Sequence, residues 1–476
     1  MPKLDLTQPL SWESASLDEI KALRNLQGNI LKGHGRSNAT ILFIQFENGK
    51  RAEARAFLRW VCVMFMRDAH SQLLESKHFK ETGESGETFV GLALSAAAYR
   101  DLEIPDDKTP TGQAFSGGMR ARQTALKDPT VDQWEPGYQK TIHAVIVIAD
   151  DLQARVADVR AEIEAELART GVVIARENGQ AMHNDNGDGI EHFGYVDGRS
   201  QPLMLVEDIV KEPGAHWDPA FPLSAALIEE PGSDPELGRY GSFFVFRKLE
   251  QNVRGFKEKE EELAAALGLT GADAELAGAL AVGRFEDGTP VVLHQDDGRA
   301  HPVPNDFSYA IDPKGSKCPF HAHIRKTNPR GDTTRVFGAP EAGERLHIMP
   351  RRGIPYGTRP THPNDEAQEQ DHSLYPTGGV GLLFMAYNVD IERQFEFTQI
   401  SWANNQAFVD NPTIPANNTG IDPVIGQGRN DEGLQKWPNK WGVPAAGTTG
   451  FDFHGFVTMK GGEYFFAPSL PFLREL

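Results

Sequence analysis

Short apolar runs alternate along this chain with longer amphipathic stretches, and the alternation occurs twice. Thr40-Ile-Leu-Phe-Ile-Gln-Phe46 has the length and side chains of a strand, and after the Asn48-Gly49 turn Arg51 to Met64 reads as a helix. Thr141 to Ile148 reads as another strand, followed by a helix with Leu152, Val156, Val159, Ile163 and Leu167 on one face. The second half repeats this order. Ser242 to Lys248 reads as a strand, with Leu249, Val253 and Phe256 continuing at helical spacing, and Gly381 to Tyr387 precedes a helical stretch from Ile391 to about Trp402. The pattern predicts an α+β protein of two similar tandem units, antiparallel sheets with flanking helices. Pro231, Gly232, Ser233, Asp234, Pro235 and Gly238 cluster between the halves, which puts the boundary near 235 and divides the chain into 1–235 and 236–476. Lys257 to Ala277 is rich in Ala and Glu and reads as a helical insert with a solvated face. Phe285 to Pro376 is loop-rich and dense in His, Arg and Pro, and loops of that length usually serve a function.

A length of 476 residues exceeds what one growing core supports, consistent with two units. The formal charge of −19 argues against nucleic acid and anionic membranes as partners. Cys62 and Cys318 are the only cysteines, too few for a disulfide framework or a four-thiolate zinc site. No Cys-x-x-Cys-His is present, so any haem would be held without thioether links. The first residues lack a signal-like apolar core, and no run reaches membrane-span length. These features predict a cytoplasmic location.

Four segments carry candidate chemistry. Cys318-Pro-Phe-His-Ala-His323-Ile-Arg325 and its continuation to Arg330 bring two imidazoles and several cations into one turn-rich stretch. A haem iron needs a neutral imidazole nitrogen, and haem propionates need nearby cations, although a solvated basic turn has the same composition. Phe193-Gly-Tyr-Val-Asp197-Gly is either an ordinary Asp-Gly turn or a segment whose glycines let backbone approach a flat ligand while Asp197 points a carboxylate at it. In Met349-Pro-Arg351-Arg352-Gly-Ile-Pro the prolines stiffen a segment whose guanidinium could stabilise developing negative charge. Glu396 lies between Phe395 and Phe397, either on a polar helix face or buried with a partner. Asn184 to Gly189 starts like a calcium loop, but Tyr195 stands where the bidentate Glu belongs, so it reads as a flexible turn. His34, His143, His301 and His347 read as structural or surface residues.

Gly194-x-x-Asp197-Gly198, Cys318 to Arg330, and Arg351 with Gly353 to Gly357 together resemble the signature of dye-decolorizing (DyP-type) haem peroxidases. Leu26-Gln-Gly-Asn-Ile-Leu-Lys-Gly-His-Gly35 and Gly462-Glu-Tyr-Phe-Phe-Ala-Pro-Ser469 resemble the beginning and end of that family, so the resemblance spans nearly the whole chain. It implies two ferredoxin-like α+β domains of the dimeric α+β barrel type, with one b-type haem (heme b) mainly in the second. It also implies His323 as the iron ligand with His321 a neighbour, and Glu396 as acceptor from the ligand's other nitrogen. Arg325 becomes a propionate partner, Asp197 and Arg351 the distal pair, and Leu382 and Phe384 the apolar cover of the distal face. The implied activity is one-electron oxidation of dyes, phenols and similar small aromatic donors by hydrogen peroxide. A carboxylate base such as Asp197 would serve this in acid, where a histidine would be protonated. Surface Trp or Tyr residues could relay electrons outward, Trp402 among them. A haem-processing (deferrochelatase-like) or haem-storage protein is the alternative, and storage would need neither Asp197 nor Arg351.

Overall fold

In the computed structural model, which describes residues 3–212, 214–298, 302–365, 367–409, 419–431 and 433–476, the two halves share one sheet. The strands of the first half are β1 (Asn38–Phe46), β2 (Phe89–Ser95), β3 (Ala144–Asp150) and β4 (Gly171–Gln180). Three two-residue strands follow, β5 (Met182–His183), β6 (Gly189–Ile190) and β7 (Ile228–Glu229). The second half contributes β8 (Tyr240–Gln251), β9 (Ile354–Tyr356), β10 (Gly381–Asn388) and β13 (Val457–Ala467), with β11 (Gln435–Pro438) and β12 (Thr448–Phe451) forming a separate hairpin. The sheet runs β10-β9-β4-β1-β3-β2-β13-β8, and β10 also pairs with β8, so eight strands close into a barrel. Within it β4-β1-β3-β2 and β13-β8-β10-β9 have the same order, fourth-first-third-second, which is the duplication expected from the sequence. All the pairings along the barrel are antiparallel. The seams between the halves are short: β13 meets β2 at Phe465 and Phe466, and β4 meets β9 at Gly179.

The interior is aromatic. Phe43 of β1 packs against Phe246 of β8 at a centroid distance of 4.6 Å, and Tyr138 and Phe465 surround them. Because β1 and β8 are not neighbours, this contact fixes Phe246 as inward-facing. With a side-chain period of two, Arg247, Leu249 and Gln251 must then point out of the barrel. In the antiparallel register Leu382 lies opposite Leu249, Phe384 opposite Arg247, and Val457 opposite Gln251, so these point outward with them. That outward face of the second half carries the cavity described below.

The helix Arg51–Met64 forms as the sequence predicts, burying Ala54, Phe57, Leu58, Val61 and Cys62 on one stripe. Three expectations need correction. Leu249 belongs to β8, which runs to Gln251 because both β10 and β13 still pair with it there; the helix Val253–Leu267 begins only after the Asn252 cap. Thr141 to His143 precede β3 rather than join it, and the second helix starts at Gln153. The segment from Lys257 to Ala277 is not a simple solvated insert: Leu263, Ala264, Leu276 and Ala277 are buried, and Lys257 pairs with Glu260 and Glu286 while Tyr195 donates to Glu260. Cys62 and Cys318 are both free thiols in the core. Among the described residues no single helix is long and apolar enough to cross a membrane.

Candidate active site

The outward residues Arg247, Leu249 and Gln251 of β8, Leu382 and Phe384 of β10, and Val457 of β13 form one wall of a large cavity. The helix His323–Thr327 and the turn from Phe193 to Ser200 form others. Phe395, Val424 and Ile425 add apolar surface.

Asp197 and Arg351 both line this cavity. The Asp197 N–H donates to the Gly189 carbonyl at 2.9 Å, which fixes the turn. Gly194 and Gly198 adopt φ of 99° and 77°, so both sites of the turn motif need glycine. Arg351 Nη1 donates to Asp197 Oδ1 at 3.2 Å, and the Gly198 N–H donates to the same oxygen at 2.6 Å. Among the described residues no protein donor reaches Asp197 Oδ2. Arg351 is itself held by a bridge to Ala386 and by donation from its N–H to Gln201 Oε1. The two side chains remain 35% and 30% exposed, enough for a small reactant to reach them.

His323 opens its helix and lines the cavity, with Nδ1 2.8 Å from Oδ2 of the fully buried Asp422. The Val424 and Ile425 N–H groups donate to the other oxygen, Asp422 Oδ1. A carboxylate on Nδ1 fixes the ring and directs Nε2 to a metal. His321 is buried outside the cavity wall, edge-on to Trp437, and burial pushes its pKa down to about 3.

Two expected roles do not survive. Glu396 does not approach His323: it accepts from Arg122 Nε and Nη2 at 2.8 and 2.7 Å and from the Tyr464 hydroxyl at 3.0 Å. The stretch from Ile391 winds as π-helix, and its wider turn points Glu396 toward the helix Met119–Leu126, which carries Arg122. Asp422 takes the place assigned to Glu396. Arg325 is not free for a propionate, since it is fully buried and bonds Asp332, Asp312 and the Cys318 carbonyl. Its charge is already matched by two aspartates.

Arg284 and Arg330 do face the cavity; the sequence marks Arg330 only as one cation of the Cys318 to Arg330 stretch and does not mark Arg284 at all. Arg330 donates to the carbonyls of Asn305 and Phe307, to Asn305 Oδ1 and to Ser200 Oγ. Arg284 donates to the carbonyls of Gly288 and Pro304. Neither has a carboxylate partner among the described residues, and burial pushes their pKa values down to about 9 and about 10. Two buried cations without an anion, apolar walls, and an anchored imidazole fit a porphyrin bearing two carboxylates.

Leu382 and Phe384 lie on the cavity wall. Trp402 does not reach the surface: Phe397, Phe408 and His347 cover it, and His347 stands between it and the cavity. His34 and His143 are packed in the fold, stacked on Phe89 and Phe46, while His301 lies outside the described residues.

Residues 25–182 match the family described as DyP dimeric alpha+beta barrel domain. A multifunctional dye peroxidase, DyP2 from Amycolatopsis sp., is 47% identical over 99% of this chain and 100% of its own length, and its solved structure superposes with a TM-score of 0.93. A DyP-type peroxidase structure from Anabaena sp. has 39% identity and a TM-score of 0.90, covering 99% of this chain and 98% of that one. A dye-decolorizing peroxidase solved in complex with 2,6-dimethoxyphenol has 28% identity and a TM-score of 0.76 over 95% of this chain and 98% of that one.

Proposed function

As a member of the dye-decolorizing (DyP-type) peroxidase family, this chain is a haem-dependent peroxidase that uses hydrogen peroxide to oxidise dyes and related aromatic donors, and we propose which of its residues do the work. The cavity would take one b-type haem, which would supply the two electrons that peroxide consumes, one from the iron and one from the porphyrin, and regain them singly from the aromatic donor. His323 holds the metal through Nε2. Asp422 accepts from Nδ1, fixing the ring plane and giving the ligand partial imidazolate character, which favours the higher iron oxidation states. Arg284 and Arg330 bind the propionates, and the two buried charges that lacked an anion support this. Leu382 and Phe384, on the cavity wall, would lie against the bound group and keep bulky donors off it.

Asp197 is the proton carrier. Its Oδ2 takes the proton from the nearer oxygen of the peroxide and returns it to the farther one, so that the leaving fragment is water. Arg351 donates to Oδ1, which holds the carboxylate with Oδ2 facing the reactant. Its fixed charge also stabilises the negative charge that grows as the oxygen–oxygen bond breaks.

The observation that carries this reading is the Asp197–Arg351 ion pair on the wall of the cavity that His323 also lines. Stopped-flow spectra of haem-loaded Asp197→Asn mixed with peroxide test it. The first spectral change should slow by roughly 10²–10⁴-fold, and in Arg351→Leu by roughly 10²–10³-fold. A haem-storage protein would show no such change, and an unaltered rate in Asp197→Asn would remove that residue from the chemistry.

A further inference from the structure

Lys326 is a buried charge for which the site above has no use. It lies in the helix His323–Thr327, one turn after the iron ligand, and its side chain is wholly shielded from solvent. Its neighbour Arg325 bonds two aspartates, whereas Lys326 bonds none. The ammonium donates to the Trp402 carbonyl at 3.2 Å and to the Asn405 carbonyl, and it lies 5.8 Å from the centre of the Phe408 ring. Among the described residues no carboxylate touches it. Burial pulls its pKa down to about 7, and Asp422 is the charge that opposes the pull.

Asp422 is the complementary case. It is fully buried, and its oxygens are bonded by the His323 ring and two backbone N–H groups, with no lysine or arginine in contact among the described residues. Backbone links the two charges. The Asp422 N–H donates to the Ala403 carbonyl at 2.9 Å, inside the same 402–405 segment whose end carbonyls hold Lys326. His323 closes the circuit, since it shares a helix with Lys326 and a hydrogen bond with Asp422. One buried anion and one buried cation are thus fixed in a single framework around His323 without touching. Charges that face each other through protein interior are screened far less than charges at a surface.

We propose that Lys326 is the counter-charge of Asp422, and that through Asp422 it limits how much imidazolate character the iron ligand acquires. The inference rests on the roles given above to His323 and Asp422. A carboxylate bonded to Nδ1 draws on that proton and favours the oxidised iron. Unopposed, the same pull would weaken the oxidised protein as an acceptor of electrons from aromatic donors. The ammonium acts on the same carboxylate in the opposite sense. A purely structural clamp would need the two hydrogen bonds but no charge.

Lys326→Met, which keeps the length and removes the charge, tests this in the haem-loaded protein at pH 5, where the ammonium is charged. Two quantities are read: the ferric–ferrous midpoint potential, and the iron–imidazole stretching frequency of the ferrous protein by resonance Raman. A unit charge about 10 Å away in a protein interior shifts a one-electron equilibrium by roughly tenfold. The expected result is a fall of about that size in the equilibrium for reduction, which is about 59 mV for one electron. The stretching frequency should rise, because the unopposed carboxylate draws harder on Nδ1. An equilibrium within twofold of the unmodified protein would overturn the proposal. So would a higher potential with a lower frequency, the signature of a displaced Asp422, which would reduce Lys326 to a clamp on the 402–405 segment. Lys326→Gln keeps a donor for those carbonyls and gives the same readout if the Met variant does not retain haem. Asp422→Asn, run beside them, separates the two ideas: an unmoved frequency there defeats the assignment of Asp422, whereas a moved one beside an unmoved Lys326 variant defeats only the counter-charge.

Discussion

Asp422 and Glu396 are both buried, yet the groups they hold differ in consequence. Asp422 accepts from an imidazole that lines the cavity, whereas Glu396 accepts from a guanidinium and a phenol beside the helix Met119–Leu126. Asp422→Asn keeps the shape but weakens the acceptor. Activity should fall by roughly 10–100-fold, and the iron–imidazole stretching frequency should drop in resonance Raman spectra. Glu396→Gln loses charge-assisted bonds to Arg122 and should cost about 1.5–3 kcal/mol of stability, measured by denaturant unfolding, with the haem spectrum unmoved. The reverse pattern, a spectral change from Glu396 and none from Asp422, would return the imidazole partner to position 396. The resemblance implied Glu396, whereas its two flanking phenylalanines leave it either on a polar helix face or buried, with no particular partner. Asp422 follows Gly420-Ile421 in a turn with no periodicity, 99 residues after His323, so only the tertiary fold brings the two together. His323, Asp197 and Arg351 were legible because each sits in a local motif of glycines, prolines or adjacent cations. Arg325 misled for the same reason: a motif places a cation in a segment, but only packing decides which anion it meets.

At the scale of elements, β8 links the barrel core to the cavity, its alternate residues serving Phe246 on one face and Arg247 on the other. The strand cores were readable from apolar runs, but their ends were not. Leu249 stands at helical spacing from Val253 and Phe256, and the ladders to β10 and β13 outweigh that spacing. The short helix His323–Thr327 is too brief to be stable alone and depends on what it packs against. One such contact is Gly283, which ends the preceding helix Glu275–Val282 at φ 99°; a Cβ there would come within 2.3 Å of Ile324 Cγ1. Gly283→Ala should therefore lose about 1–2 kcal/mol from the left-handed backbone and also displace Ile324, next to His323. Faster haem transfer to excess apomyoglobin is the expected result. Gly338→Ala is the control, since it also has positive φ, at 66°, but no atom within 4 Å of the added Cβ. Equal haem loss from the two variants would reduce the effect to backbone strain alone.

For the whole molecule, the buried titratable groups set how far into acid the fold survives. His192 and His321 are each about 1% exposed, and burial lowers their pKa values from 6.5 to about 4 and about 3. Below pH 6.5 the unfolded chain takes a proton on each ring and the folded chain does not. Stability then falls by about 1.4 kcal/mol per ring for each unit of pH, until the folded pKa is reached. Glu191 and Glu260 act in the opposite sense. Burial raises both from 4.5 to about 7, so between those values the folded chain holds a proton that the unfolded chain has released, and acidification favours the fold. Melting temperatures of the haem-loaded protein across pH 4 to 7 should reveal both terms. His321→Gln should lose less stability than the unmodified protein as pH falls through 6 to 4. Glu191→Gln should gain relative to it as pH rises from 5 to 7, because the variant no longer buries a group that ionises more readily when unfolded. Curves parallel to that of the unmodified protein would mean that neither group changes its protonation on folding. Since Glu191 also lines the haem cavity, its ionisation should come with a shift of the haem absorption band near neutral pH that Glu191→Gln abolishes, whereas His321→Gln should leave that shift intact.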